Sequence, residues 1–161
     1  MPIRPPVYEK PIISVIKMYP VCNFQVPPMN TREEKLSILS ELIAFAKADD
    51  VVKLSEYKFL FDIATQLGID KTTFDDLFHK KAEKVVLKPL SDRLVQFHRL
   101  LLLMNVDQEQ HETELRRLHT IGLKMGLPPS AIDQVLIVMH KYPDKIIPPH
   151  VLINIFKAHY N

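Results

Sequence analysis

Three carboxylates lie close together in residues 46–56, at Asp49, Asp50 and Glu56. Carboxylate oxygens are the ligands that hard cations such as calcium, magnesium or manganese prefer. Asp49 and Asp50 follow a predicted helix, whose C-terminal end carries partial negative charge and therefore needs a compensating group. The seven-residue spacing lets a tight connection bring Glu56 towards Asp49, so these three side chains form a candidate divalent-cation site. We call residues 49–56 the acidic turn.

Ordinary helix capping is the alternative interpretation of the acidic turn. Ser55 and Asp49 would cap backbone amides, and Glu56 would complement the dipole of the following helix. Lys47 and Lys53 would neutralise the remaining charge. The sequence leaves this interpretation and the cation site both open.

An internal repeat carries a second version of the acidic turn. Sliding the chain by 58 positions aligns two helices, a connecting turn and a terminal glycine. The second copy keeps carboxylates at Asp107 and Glu114 but has Gln108 in place of Asp50, so we expect weaker cation binding there or none. The matched pairs are Leu36 with Leu94, Ile43 with Leu101, Asp49 with Asp107, Glu56 with Glu114, Leu60 with Leu118, and Gly68 with Gly126.

The elements that position these residues are all predicted helices. Thr31 and Glu34 form a capping box, and apolar residues at helical spacing follow to about Ala48. Gly122, inside a later helix, suggests close helix packing. We expect about seven helices and no strand, with start and stop signals at Ser55, Gly68, Asp70, Ser91, Thr113, Ser130 and Pro148-Pro149.

These helices predict an all-α fold in a single domain at residues 31–161. Two three-helix units, at about 31–88 and 89–141, would bury their apolar faces against each other, and a final helix would occupy 149–158. Residues 1–30 hold seven of the thirteen prolines and are predicted to be extended or irregular. They would be an arm along the core, a mobile tail, or a leader absent from a protein that starts at Met29.

The charge of the chain argues against nucleic-acid binding as its function. The net charge of +2 comes from residues 1–30, so the predicted helical domain is formally neutral, which argues against a nucleic-acid partner. The run Lys80, Lys81, Lys84 and Lys88 is the best basic patch and is typical of a solvated helix face.

Cysteine and hydropathy point to the cytoplasm. The single Cys22 excludes an intramolecular disulfide and fits a reducing compartment; its surroundings suggest an unreactive thiol. No apolar run has signal-peptide or membrane-spanning length.

Catalytic motifs are incomplete. His111-Glu112 begins like a zincin helix, but Leu115 replaces the second histidine, and Glu112 with Arg116 reads as a surface ion pair. We therefore predict that the chain is not an enzyme.

The acidic turn resembles a motif of the TerB-like family, named for tellurite resistance. The matching residues are Ala48, Asp49, Val52 and Glu56, followed by an apolar helix ending in Leu67-Gly68-Ile69, and the similarity covers roughly residues 33–140. The resemblance implies an all-α fold with an internal pseudo-repeat, a role in stress and metal-oxyanion resistance, and an acidic metal site at Asp49 and Glu56. The chain departs from the pattern at Asp50, where the family more often has glycine, and at Lys53-Leu54.

Taken together, we expect a non-enzymatic, cytoplasmic, TerB-like helical interaction module with a candidate divalent-cation site at Asp49, Asp50 and Glu56. The alternative is a structural or protein-binding helical module without a metal. We expect a protein partner whose identity the sequence does not give, and neither nucleic acid nor membrane insertion; the sequence leaves a homo-oligomer open. No other cofactor is predicted.

Overall fold

The computed structural model describes residues 31–107 and 109–160, and it confirms the all-α fold. The predictions for the proline-rich leader, Cys22 and Gln108 lie outside the described residues. Within them, seven α-helices and no strand are present, joined by short connections that include 3₁₀ segments at Lys47–Asp49, Met139–Lys141 and Pro143–Lys145. The helices are α1 (Arg32–Ala46), α2 (Leu54–Gln66), α3 (Lys71–His79), α4 (Leu90–Met104), α5 (Glu112–Lys124), α6 (Pro129–Val138) and α7 (Pro149–Tyr160).

The core is built around α1 and α4, which pack against each other. Leu39 and Leu42 of α1 and Phe97 and Leu100 of α4 are all completely buried. Helices α2 and α3 cover α1, while α6 packs between α5 and α7. Burial of each such side chain contributes about 1.5–3 kcal/mol, so this single core is the main stabilising feature of the fold.

Two of the predicted helix starts are confirmed. The Thr31 amide donates to Glu34 Oε2 at 3.0 Å and the Glu34 amide to Thr31 Oγ1 at 3.2 Å, which is the expected capping box of α1. Asp70 caps α3 by accepting from the Thr73 amide at 2.9 Å. Both caps satisfy amides that have no partner inside the helix.

Two other predicted caps are wrong. The residue that precedes α2 is Lys53, so Ser55 lies inside the first turn of that helix. The residue that precedes α4 is Pro89, so Ser91 also lies inside its helix. Helix α2 begins where Glu56 accepts from the Lys53 amide, and α4 begins directly after Pro89, which has no amide hydrogen; neither start uses a serine hydroxyl.

The helix-terminal glycines behave as predicted. Gly68 and Gly126 have φ values of 71° and 74°, a left-handed conformation that glycine adopts without steric cost. Beyond each, the next residue's amide reaches back to α2 or α5: Ile69 to the Ala64 carbonyl at 2.9 Å, and Leu127 to the Gly122 carbonyl at 3.0 Å. The two glycines are 58 positions apart and end their helices with the same hydrogen-bond pattern.

Gly122 confirms the predicted close packing. A Cβ atom there would lie 2.7 Å from Ile132 Cδ1 and 3.0 Å from Phe97 Cε2. Both distances are shorter than normal carbon contacts. Only glycine lets α5 approach α4 and α6 this closely without displacing those side chains.

The lysine run does not form a helix face. Residues 80–88 follow α3 as an irregular segment beside α1. The Ala82 amide donates to Ser40 Oγ and the Val85 amide to Ser37 Oγ, both at 2.9 Å. The segment is thereby fixed to α1, with Val86 72% exposed.

No helix within residues 31–107 and 109–160 has the length and apolar character needed to cross a membrane.

Candidate functional site

The acidic turn is a tight connection between α1 and α2. After the 3₁₀ segment at Lys47–Asp49, Asp50 adopts a left-handed conformation with φ 66° and ψ −17°, and its amide donates to the Lys47 carbonyl at 3.0 Å. Asp49 and Asp50 are exposed, whereas Glu56 is buried with 8% of its surface accessible. The three predicted ligands therefore lie in different environments.

Glu56 caps α2. Its Oε2 atom accepts from the Lys53 amide at 2.8 Å, which satisfies a helix amide and places a carboxylate at the positive end of the helix dipole. Burial raises the pKa of Glu56 above its usual value, and the Lys53 amide partly opposes this effect. The charges of Asp107 and Glu114 also raise this pKa, so the second carboxylate pair lies within electrostatic range.

The second copy of the turn repeats this arrangement between α4 and α5. Glu114 is buried, and its Oε2 atom accepts from the His111 amide at 3.1 Å. Burial raises the pKa of Glu114, the His111 amide opposes this, and the charges of Asp49 and Asp107 raise it further. Each buried glutamate is thus affected by carboxylates of the other turn.

Lys53 joins the two turns. Its ammonium group donates to Asp107 Oδ2 and, at 2.8 Å, to Glu109 Oε2, and these two bonds raise its pKa. Lys53 therefore neutralises charge in the second turn rather than at Asp49. The other predicted neutralising residue, Lys47, donates instead to the Phe78 carbonyl at 2.7 Å at the end of α3.

The predicted ligands of the cation site do not come together as a set of three within the described residues. Within residues 31–107 and 109–160, no group of three or more histidine, cysteine, aspartate or glutamate side chains is placed to hold an ion. One oxygen of Glu56 already caps α2, and the exposed Asp49 and Asp50 are not assembled with it into a ligand set. The cation site at Asp49, Asp50 and Glu56, and its weaker copy at Asp107 and Glu114, stays a prediction.

Two exposed aliphatic side chains lie in the acidic turn, and the sequence analysis missed them. Val51 is 70% and Leu54 69% exposed, although α2 as a whole buries an apolar face in the core. Asp49 and Asp50 precede Val51, and Lys53, which precedes Leu54, bonds through its side chain to Asp107 and Glu109. We call the resulting patch the turn surface; it comprises Asp49, Asp50, Val51, Leu54, Asp107 and Glu109.

The histidines near the incomplete zincin motif have structural partners. His111 precedes α5, and His119 Nε2 lies 3.0 Å from Asp133 Oδ1 on α6. Glu112 and Arg116 form the predicted surface ion pair. The His119–Asp133 contact joins α5 to α6, whereas the Glu112–Arg116 pair lies on α5 alone.

No protein-family model, curated protein or solved structure matches this chain. The resemblance to the TerB-like family, which rests on the acidic turn and the glycine that ends α2, therefore stays a prediction.

Proposed function

We propose that this chain is a non-enzymatic helical interaction module that binds a protein through the turn surface. One observation carries the proposal: Val51 and Leu54 are largely exposed on a connection whose ends are both held in place. Val51 and Leu54 are three positions apart on the same connection, and exposed apolar surface rimmed by polar groups is typical of protein-binding sites.

Burial of Val51 and Leu54 would supply part of the free energy of recognition. Complete burial of a valine or leucine side chain contributes about 1.5–3 kcal/mol, and roughly 70% of each side chain remains to be covered. A partner that covers both would gain about 2–4 kcal/mol from these two contacts alone. Polar contacts at the rim would add to this and select the partner.

The turn surface is also preorganised. Glu56 holds the Lys53 amide, and the Lys53 side chain bridges to the second turn. A binding loop fixed before association loses less conformational entropy when the partner arrives. This favours a recognition role over a purely passive connection.

A TerB-like architecture of two pseudo-repeated units, at about 31–88 and 89–141, is part of the proposal. Its support is the recurrence, 58 positions apart, of the Glu56 and Glu114 caps and of the left-handed Gly68 and Gly126. The conformation of Asp50 also supports the proposal. Its φ is positive, which glycine adopts without steric cost, and glycine is the residue that the TerB-like pattern more often has at this position. A cytoplasmic location and a role in stress or tellurite resistance are proposed on this resemblance.

The test is affinity capture by the tagged full chain expressed in its own source cells. We expect captured protein with the wild type and its loss with Val51→Ser/Leu54→Ser. The matched control is Leu123→Ser/Ile137→Ser, which alters two exposed aliphatic residues on α5 and α6 and should leave capture unchanged. Equal capture by both double variants, or no specific capture by the wild type, would refute the proposal.

A divalent-cation site at the acidic turn is the second candidate function. The feature in its favour is the number of carboxylates at the two turns: besides burial, which is the main cause, the charges of Asp107 and Glu114 raise the pKa of Glu56, and the charge of Asp49 raises that of Glu114. A bound cation would relieve the repulsion among these charges.

Thermal unfolding in chelator, and then with calcium, magnesium, manganese or zinc, tests the cation site. A ligand at a hundredfold excess over its Kd stabilises the folded state by about 2.7 kcal/mol. The site predicts an increase in Tm that disappears in Asp49→Asn. An unchanged Tm with every metal would reject the site and leave the turn as a protein-binding surface.

A further inference from the structure

We propose that the turn surface of one molecule binds residues 80–88 of a second copy of this chain, so that the protein associates head to tail. We call residues 80–88 the lysine segment. This inference rests on the proposed function, because it names the partner of the same surface.

The turn surface keeps unpaired negative charge after its internal contacts are made. Lys53 is already held by Asp107 and Glu109, and Lys47 by the Phe78 carbonyl. No basic side chain within residues 31–107 and 109–160 forms an ion pair with Asp49 or Asp50. A partner that buries Val51 and Leu54 must therefore bring cationic groups beside its apolar contact.

The lysine segment has this complementary chemistry. Val86 is 72% exposed, the largest exposure among the large aliphatic residues that the structure describes, and it lies between Lys84 and Lys88. The Lys84 side chain is 68% exposed and reaches Glu41 only at 3.9 Å, so its charge remains accessible to a second molecule. An apolar side chain flanked by cations thus matches an apolar pair flanked by carboxylates.

The lysine segment runs along α1 from the C-terminal end, where Lys47 holds the Phe78 carbonyl, so that Val86 and the turn surface lie towards opposite ends of this helix. The turn surface follows its C-terminal end, whereas Val85 bonds to Ser37, in the second turn of the helix. Val86 of one molecule is therefore distant from that molecule's own turn surface, and the contact between Val86 and Val51 or Leu54 needs a second copy. Such unlike surfaces produce head-to-tail contacts, which extend beyond a dimer unless the rotation between copies closes a ring.

A symmetric dimer through either surface is disfavoured. Two turn surfaces would bring Asp49 and Asp50 against their own copies, and two lysine segments would place like cations together. Nucleic acid and anionic lipid are disfavoured at the turn surface for the same electrostatic reason. With symmetric dimers, nucleic acid and lipid disfavoured, the lysine segment of a second copy is the partner that we propose for the turn surface.

Sedimentation of the full chain at increasing protein concentration tests the inference. A small contact associates weakly, so the range should extend from about 10 µM to 1 mM. We expect the average mass to rise with concentration, and the apparent association constant to fall about tenfold between low and high salt, because the charges become screened.

Two double variants supply the decisive comparison. Val51→Ser/Leu54→Ser disables the turn surface, and Val86→Ser/Lys88→Glu disables the lysine segment; all four residues are exposed, so we expect both variants to fold. Each variant alone should remain monomeric. An equimolar mixture retains one intact copy of each surface and should form a 1:1 dimer that grows no further.

Three results would overturn the inference: a wild-type protein that stays monomeric at 1 mM, two variants that associate like the wild type, or a mixture that remains monomeric. Loss of association in only one variant would indicate a symmetric dimer and would equally exclude the head-to-tail contact. If the wild type is monomeric but capture still depends on Val51 and Leu54, the proposed function stands with a different protein as partner.

Discussion

Asp50 allows the conformation of the acidic turn to be tested by mutation. Its φ of 66° lies in the left-handed region, which costs about 1–2 kcal/mol for a residue with a Cβ atom. Glycine avoids this cost but loses about 0.5–1 kcal/mol more conformational entropy on folding than alanine. We therefore expect Asp50→Gly to be more stable than Asp50→Ala by about 0.75 kcal/mol, the difference between the midpoints of these two ranges.

The comparison of these two variants isolates the backbone. Both remove the same carboxylate from the end of a helix, where it costs about 0.3–1 kcal/mol, so the charge effect cancels between them. Ala48 is the matched control, because it is exposed and lies two residues earlier in the 3₁₀ segment. Ala48→Gly should destabilise the protein by about 0.5–1 kcal/mol, so the preference for glycine should reverse within two positions.

Urea denaturation of the full chain, followed by circular dichroism, measures these differences. In thermal unfolding, 1 kcal/mol corresponds to a Tm shift of about 2–4 °C for a protein of this size. If Asp50→Ala were as stable as Asp50→Gly, Asp50 would not be left-handed. The position of Val51 and Leu54 on the turn surface would then need revision.

Three further predictions concern packing and titration. Gly122→Ala should destabilise the folded protein, because overpacking costs about 1–3 kcal/mol whereas the better helix propensity of alanine contributes only about 1 kcal/mol. Adding Ile132→Val should partly restore stability, because it removes the Cδ1 atom that lies 2.7 Å from the new Cβ. Glu56→Gln should keep the bond to the Lys53 amide; because burial raises the pKa of Glu56, the wild type should gain stability relative to this variant as pH falls from 7 towards 4.5, as urea midpoints would show. Burial lowers the pKa of His98, whose Nε2 lies 3.0 Å from the Ile147 carbonyl oxygen, so the wild type should lose more stability than His98→Gln as pH falls from 7.5 through 6.5. A wild type and variant with parallel pH profiles would contradict either titration prediction, and an unrescued Gly122→Ala would contradict the packing argument.

Local signals in the sequence were sufficient for much of the fold. Thr31 with Glu34, Asp70, and Gly68 act through atoms only a few residues away, so their roles can be predicted from short patterns. Ser55 was misassigned because serine is also tolerated inside a first helical turn, and the sequence did not show that Glu56 reaches back to the Lys53 amide.

The candidate site depended on contacts that are distant in sequence. Lys53 and Asp107 are 54 positions apart, and nothing in the composition of either turn specifies this ion pair. The exposure of Leu54 could have been predicted, since helical periodicity places it away from the face formed by Phe59 and Ile63. Val51 lies in an irregular connection without periodicity, so its exposure required the structure.

The central claim is that the turn surface contacts protein, and site-specific photo-crosslinking tests it most directly. A photoreactive amino acid would replace Leu54 in the full chain within its source cells, with Ile137 as the equally exposed control. We predict a discrete protein adduct from position 54 that is absent from position 137. The adduct would contain a second copy joined at the lysine segment, or another protein if self-association fails. No adduct at position 54, or the same adducts from both positions, would contradict the claim.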